Sequence, residues 1–202
     1  MSSVSTATDS LEERLRRALD ERPRREGELP PGRAAAVLLM VFERDGEPWL
    51  VFTKRTHQVQ HHKGEISFPG GARDDEDPDI EQTAVRETVE ELGVDAAEIK
   101  VVGRLDELPT FVTGYNVMPF VAVVPEQHSY RPSDVEIDEV IELPVDELAR
   151  VGRRDVIVRR GFPIETNVFE TRGHFIWGLT GAILRQFLDE VWPALAGEAA
   201  HD

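Results

Sequence analysis

The 202-residue chain contains no cysteine. Disulfides, zinc–thiolate sites, iron–sulfur clusters and cysteine nucleophiles are therefore excluded, and a reducing, cytoplasmic setting is the expectation. Basic residues are scarce beside acidic ones: 23 against 39, for a net charge of −16. A general nucleic-acid binder needs surplus positive charge to meet phosphates, so nucleic acid is not an expected partner. Long apolar runs are missing as well. The longest, Ala34 to Phe42, has nine residues, whereas a membrane helix needs about 20; it predicts a core strand and no membrane partner. The N-terminus carries Asp9, Glu12 and Glu13 with no apolar stretch before them, so no secretory leader is expected. What is present is enough for a core: apolar residues make up 40% of the chain, which excludes a wholly disordered class.

The pattern along the chain predicts an N-terminal tail with a short helix over 1–30, a single domain over 31–195 and a C-terminal tail over 196–202. Leu11, Leu15 and Leu19 recur at helical spacing. Residues 22–32 hold three prolines and two glycines and read as a linker. The apolar run from Ala34 predicts a buried strand, Asp45-Gly46 a hairpin turn, and 49–53 the returning strand. A short strand over 66–68 leads into Pro69-Gly70-Gly71. A helix follows from about Glu81 to Leu92, with Val85, Val89 and Leu92 on one face and Gly93 as its stop. Strands are expected near 101–105, 117–124, 140–143 and 155–159, and an amphipathic helix over about 178–194. This order is not βαβ, which points to an α+β sandwich with a mixed sheet.

The chemistry is concentrated between residues 54 and 91. The segment 54–73 carries Lys54, Arg55, Lys63 and Arg73 against Glu65, a net of +3. Residues 74–91 carry nine acids against Arg86, a net of −8. A basic segment meeting a dense acidic one at a Gly-Gly turn is what a divalent cation and a phosphate ester together require. On the expected helix Glu87 and Glu91 stand at i and i+4, with Glu90 beside them. Three like charges on one patch repel each other, and a bound cation would offset that; a merely solvated acidic face is the plainer alternative.

These residues carry a resemblance. The stretch from Gly70 to Val94 resembles the Nudix box, G-x5-E-x7-R-E-U-x-E-E-x-G-U with U aliphatic, through Arg86, Glu87, Glu90, Glu91, Gly93 and Val94. Arg86 stands one residue further from Gly71 than in that pattern. Counting back from Arg86 reaches Pro78 where the box has its loop glutamate; Asp77 is the nearest acid at the right distance from Gly71. Thr88 replaces an aliphatic residue. Upstream, VFTKRTHQVQHHKGEISFPGG resembles the signature of the coenzyme A pyrophosphatase branch at Thr53, Arg55, Gly64, Phe68, Pro69, Gly70 and Gly71, with Gln60 in place of an arginine and Thr56 in place of Ser or Ala. LDELPTFVTGYNVMPFVAVVP and HFIWGLTGAIL are similar to this branch too.

The resemblance implies an α/β/α sandwich with a mixed sheet and a hydrolase dependent on Mg²⁺ or Mn²⁺. Its substrate would be a small-molecule nucleoside diphosphate derivative, and for this branch coenzyme A, cut to 3′,5′-ADP and 4′-phosphopantetheine. An ADP-ribose or dinucleotide pyrophosphatase is the alternative, favoured by Gln60, and a non-catalytic nucleotide-binding protein of the same fold is a third. Glu87 and Glu91 are the first metal-ligand candidates, with Glu90 as a third and the Gly71 carbonyl as a backbone ligand. Arg86 is expected to orient a carboxylate within this catalytic group. Lys54, Arg55, Lys63 and Arg73 are substrate-binding candidates, and Glu136 or Glu139 is the candidate general base if a box glutamate is not. Phe111 and Tyr115 would line the pantetheine side. His61 and His62 read as solvated, and Trp49, Trp177 and Trp192 as packing residues. Both a monomer and a homodimer fit the sequence.

Overall fold

The computed structural model of the protein describes residues 9–25, 29–56, 64–110, 113–159 and 161–199. The chain begins with α1 (Leu11–Glu21), then β1 (Arg33–Arg44), β2 (Glu47–Arg55), β3 (Ile66–Ser67) and β4 (Gly70–Ala72). Next come α2 (Ile80–Leu92), a 3-10 turn at Ala96–Glu98, β5 (Lys100–Arg104), β6 (Leu108–Pro109), β7 (Tyr115–Val123) and β8 (Ile137–Pro144). The last part holds α3 (Val145–Val151), β9 (Arg153–Arg159), β10 (Phe162–Thr171), β11 (His174–Ile176), α4 (Gly178–Glu190) and α5 (Trp192–Ala199).

The main sheet is mixed and runs β3-β2-β1-β7-β5, with β4 on β1, β6 on β7 and β8 on β2. Its axis is β1, which pairs in parallel with β7 from Arg33↔Tyr115 to Val41↔Val123 and antiparallel with β2 and β4. Alternate side chains of a strand point to opposite faces, and β1 buries both. Leu39 and Val41 join a core with α1, α4 and α5, while Ala36, Leu38, Met40 and Phe42 join a second core under α2. That is why the strand reads as an unbroken apolar run rather than an alternating one. The result is the expected α+β sandwich of helix, mixed sheet and helix.

Several boundaries differ from expectation. The expected short N-terminal helix is α1, and it buries Leu11, Leu15, Ala18 and Leu19 in the first core. Ser10 caps α1 reciprocally with Glu13. Arg22, at its end, donates to Asp106 and Glu190, both at 2.9 Å, tying it to β5–β6 and α4. The C-terminal helix breaks at Val191, and α5 continues to Ala199, into the stretch expected to be tail. Gly70-Gly71 is a strand, not a turn. β10 lies in a separate three-stranded sheet ordered β11-β10-β9. The inner end of that sheet is buried through Val168, Phe169 and Ile176, while Val156, Val158 and Phe162 at its outer end are exposed. No helix among the described residues is long and apolar enough to cross a membrane.

Candidate active site

Four elements converge at one end of the main sheet: β4, α2, the end of β2 and the start of β8. Their meeting depends on Gly70 and Gly71. Gly70 has φ +146°, and a Cβ there would run into the Ala36 carbonyl on β1; only glycine takes this backbone at low cost. Gly71 has no such dihedral demand. A Cβ there would instead overlap the Glu87 carboxyl, so its missing side chain is the space that Glu87 fills.

Helix α2 starts on Asp79, whose side chain accepts from the Gln82 N–H at 2.9 Å, and ends on Gly93 at φ 63°. Its buried face overlaps the expected Val85-Val89-Leu92 stripe in part: Leu92 is buried and Val89 packs against the second core. Thr83, Ala84, Thr88, Glu91 and Leu92 are buried, whereas Val85 and Val89 are half-buried. Apolar periodicity finds only part of the face because two threonines and a glutamate also lie on it. Thr88 satisfies its hydroxyl on the Ala84 carbonyl at 2.7 Å; Glu91 is held for its carboxylate.

Glu91 is 3% exposed. One oxygen accepts from the Gly70 N–H at 3.2 Å and the other from Arg55 at 3.3 Å. Burial pushes its carboxyl up to about 7, against the pull of Arg55 and the Gly70 N–H. Burial also raises the Glu87 carboxyl, against Arg86, and the nearby Glu90 and Glu136 charges raise it further. Glu90 sits differently: its side chain is 60% exposed and pairs with Arg86 at 3.1 Å. The three glutamates are not gathered around one point. Among the described residues, no group of three or more acids or histidines is placed to hold a metal ion.

Arg86 is the hub. It grips both oxygens of Asp77 at 2.8 and 3.0 Å, pairs with Glu87 at 2.9 Å and donates to the Ala72 carbonyl at 3.3 Å. Asp77 is buried and also accepts from the Thr83 hydroxyl at 2.8 Å and the Asp74 N–H at 2.9 Å. The Arg86 hydrogen bonds, helped by these donors, hold its carboxyl well below the usual carboxylate range. The altered loop of the motif thus delivers an acid to Arg86 after all, with Asp77 in that place.

The expected substrate-binding cations divide. Arg55 bridges Glu91 and Glu136, the latter at 3.8 Å. Lys54 faces Glu139 at 3.5 Å and Asp138 at 3.8 Å. Glu139 also lies 3.9 Å from His174. Arg73 is exposed and reaches the Asp77 carbonyl at 3.3 Å. Lys63, Gln60, His61, His62 and Phe111 lie outside the described residues. Trp49 and Trp192 pack partly buried against the two cores, and Trp177 lies under the Arg159 guanidinium.

Sequence reasoning missed Arg33, at the start of β1. Its guanidinium carbon lies 4.2 Å from the centre of the Tyr115 ring, and both residues line a cavity with Arg73. An arginine opening an apolar run carries no motif, and only the β1–β7 register sets it opposite Tyr115.

Comparison with known proteins is consistent with this geometry. The model of the NUDIX domain matches residues 32–160. The chain is 35% identical over 167 residues to a protein of Citrobacter koseri named as a Nudix hydrolase, NudL, covering 82% of this chain and 86% of that one. It is equally identical over 156 residues to the protein of the same name from Escherichia coli O1:K1 / APEC, covering 76% and 80%. Among solved structures, an Ap4A hydrolase binary complex from C. elegans superposes with a TM-score of 0.54 at 16% identity, covering 82% of this chain and 98% of the other. A MutT/nudix family protein from Enterococcus faecalis gives 0.54 at 15% identity, covering 96% and 72%. At these identities the two structures speak to the fold.

Proposed function

The chain belongs to the Nudix domain family of hydrolases, and from that premise we propose that it splits the diphosphate linkage of a nucleoside diphosphate derivative, a dinucleotide or ADP-ribose type of ester, with Mg²⁺ or Mn²⁺. The observation that carries this is the half-buried Glu87 and the buried Glu91 beside the side-chain-free Gly71. Two carboxyls resisting ionisation at the floor of one site, with a backbone carbonyl nearby, fit a hard cation that takes oxygen ligands. Glu87, Glu91 and the Gly71 carbonyl would hold it, with Glu90 at the rim. Such a cation supplies charge withdrawal from the diphosphate oxygens.

The chain's own groups do the rest. Arg86 positions Glu87 by fixing it to the Asp77 loop. Arg55 neutralises part of the Glu91 charge and stands ready to meet a phosphate oxygen. Glu136 is the better placed general base. It lies beside Arg55 and close enough to raise both Glu87 and Glu91, so its carboxylate faces the reacting centre and can take the proton of the attacking water. Glu139 is engaged by Lys54 and faces His174. Lys54 then serves as the outer cation for the substrate's phosphates.

Coenzyme A is the second reading, favoured by Thr53, Arg55 and the Phe68-Pro69-Gly70-Gly71 run, which follow that branch's signature. Gln60 weighs against it. The test is a panel of ADP-ribose, NADH, diadenosine polyphosphates and coenzyme A, with product identification in Mg²⁺ and in Mn²⁺. Fastest turnover is expected on a dinucleotide or ADP-ribose. Preferred cleavage of coenzyme A would reverse the order of the two readings, and no cleavage of any diphosphate ester would end both.

A further inference from the structure

The segment that carries Glu136 has no apolar anchor of its own. None of the residues from Arg131 to Glu136 is buried, and Val135 is 68% exposed. The first inward-packed residue after them is Ile137, where β8 begins. A carboxylate mounted on such a segment wanders unless hydrogen bonds hold its main chain. Those bonds come from two sides. On one side the Glu91 carbonyl, in the last turn of α2, accepts from the Ser133 N–H at 2.9 Å. On the other stands Thr56, just past the end of β2 and buried. Its hydroxyl donates to the Val135 carbonyl at 2.7 Å, and its N–H donates to the Glu136 carbonyl at 2.9 Å. One residue thus holds two consecutive carbonyls, the first with its side chain and the second with its backbone.

Thr56 also adjoins the charge that faces Glu136. The preceding Arg55 lies 3.8 Å from the Glu136 carboxylate and 3.3 Å from that of Glu91. Arg55 is itself fixed: its N–H donates to the Glu65 carbonyl at 3.1 Å, and its carbonyl accepts from the Gly64 N–H at 3.0 Å. Residues 55 and 56 therefore set both ends of Glu136, its side chain and its main chain. The β2–β8 ladder does not do this alone. It slips by one residue between Lys54↔Glu139 and Arg55↔Ile137, which leaves Asp138 without a partner strand residue. A bulge of this kind bends the strand and interrupts the ladder, so the path of the chain before Ile137 is decided by the Thr56 bonds. A threonine suits the task. Its branched carbon leaves few rotamers, and a hydroxyl taken out of water is costly unless it is bonded.

We propose that Thr56 is a positioning residue for the hydrolysis: its hydroxyl fixes the Val135–Glu136 main chain so that the Glu136 carboxylate stays beside Arg55, where it takes the proton of the attacking water. The assignment rests on the reading of Glu136 as general base and adds the residue that keeps it in place.

The experiment is a double-mutant cycle in the full chain, with steady-state kinetics on the best substrate of the panel and amide hydrogen exchange on the same proteins. Thr56→Val removes the hydroxyl and keeps the branch and the volume. It is expected to lower kcat about tenfold or more with KM little changed, and to speed exchange at the Glu136 and Ile137 amides. Thr56→Ser keeps the hydroxyl and should return both kcat and exchange to wild type. In a Glu136→Gln background, where the base is already lost, Thr56→Val should cost nothing further, because residues that act as a unit are not additive. A loss that multiplies with that of Glu136→Gln, or wild-type kcat in Thr56→Val, would overturn the positioning role and leave Glu136 as the base. Wild-type turnover by Glu136→Gln would instead remove the base, and the proposal with it. Thr56→Ala also lacks the hydroxyl and adds no apolar bulk, so it carries the same test if Thr56→Val does not fold.

Discussion

Arg86 holds Asp77 with both arms of its guanidinium, Nε to Oδ1 at 2.8 Å and Nη2 to Oδ2 at 3.0 Å. The Asp77 side chain is only 5% exposed, so the pair is not a loose surface contact. It joins the 72–79 loop to α2, and through Arg86 it orients Glu87. Asp77→Asn should lower the thermal midpoint by several degrees and reduce kcat more than it raises KM. Thermal unfolding and steady-state kinetics on the same preparation check both.

The same pair fixes a pH signature. The folded-state pKa of Asp77 lies below its unfolded value of about 3.9. Its contribution to stability is therefore complete above that value and is lost as pH falls through the folded one. The gap in thermal midpoint between wild type and Asp77→Asn should stay constant from neutrality to about pH 5, then narrow below about pH 4. A gap that persists undiminished at pH 3 would contradict the ion pair.

Glu91 has the opposite sign. Its carboxyl is raised to about 7, so the stability tied to its protonated form is present below about pH 4.3 and is lost as pH rises through 7. Metal-free wild type should lose several degrees of thermal midpoint across that window, and Glu91→Gln should not. Added Mg²⁺ should restore the wild type near pH 8 and leave Glu91→Gln unmoved. Scanning fluorimetry with chelator and with metal reads both.

Glu87→Gln and Glu91→Gln should each lower kcat by roughly three orders of magnitude or more, about 4 kcal/mol of transition-state stabilisation, while remaining folded. A variant of either kind with wild-type turnover would remove that residue from the reaction.

The two glycines should separate. Gly70→Ala sets a side chain against the Ala36 carbonyl in a backbone region that excludes it, and should cost about 2 kcal/mol or more of stability. Gly71→Ala displaces the Glu87 carboxyl instead. It should leave the thermal midpoint close to wild type and remove most of the activity.

Most of the sheet was readable because β1, β2 and β7 are built from long apolar stretches whose length alone separates strand from membrane span. The motif residues were readable through the resemblance of Arg86, Glu87, Glu90 and Glu91 to the box, which needs no knowledge of packing. The orientation of α2 was readable only in part. Thr83, Thr88 and Glu91 pack inward for reasons that lie in the partners they meet, and an apolar count cannot see a buried carboxylate whose partners, Arg55 and the Gly70 N–H, are 36 and 21 residues away. The strand character of Gly70-Gly71 was hidden likewise, because glycine pairs read as turns unless a neighbouring strand demands their closeness. Arg33 became visible only through sheet register.

The last turn of α2 has one more effect. Its Leu92 and Glu91 carbonyls accept from the Arg131 and Ser133 N–H groups at 2.7 and 2.9 Å, and the Ser133 carbonyl in turn accepts from Glu136 at 3.0 Å. A clamp of main-chain bonds thus sets where the connection from β7 to β8 is free to vary. Extra residues spliced in between Val124 and Tyr130 would bulge outward and leave Glu136 in place, whereas a single deletion after Arg131 would drag it away from Arg55. An insertion before Arg131 should therefore spare the site, and a deletion after it should not.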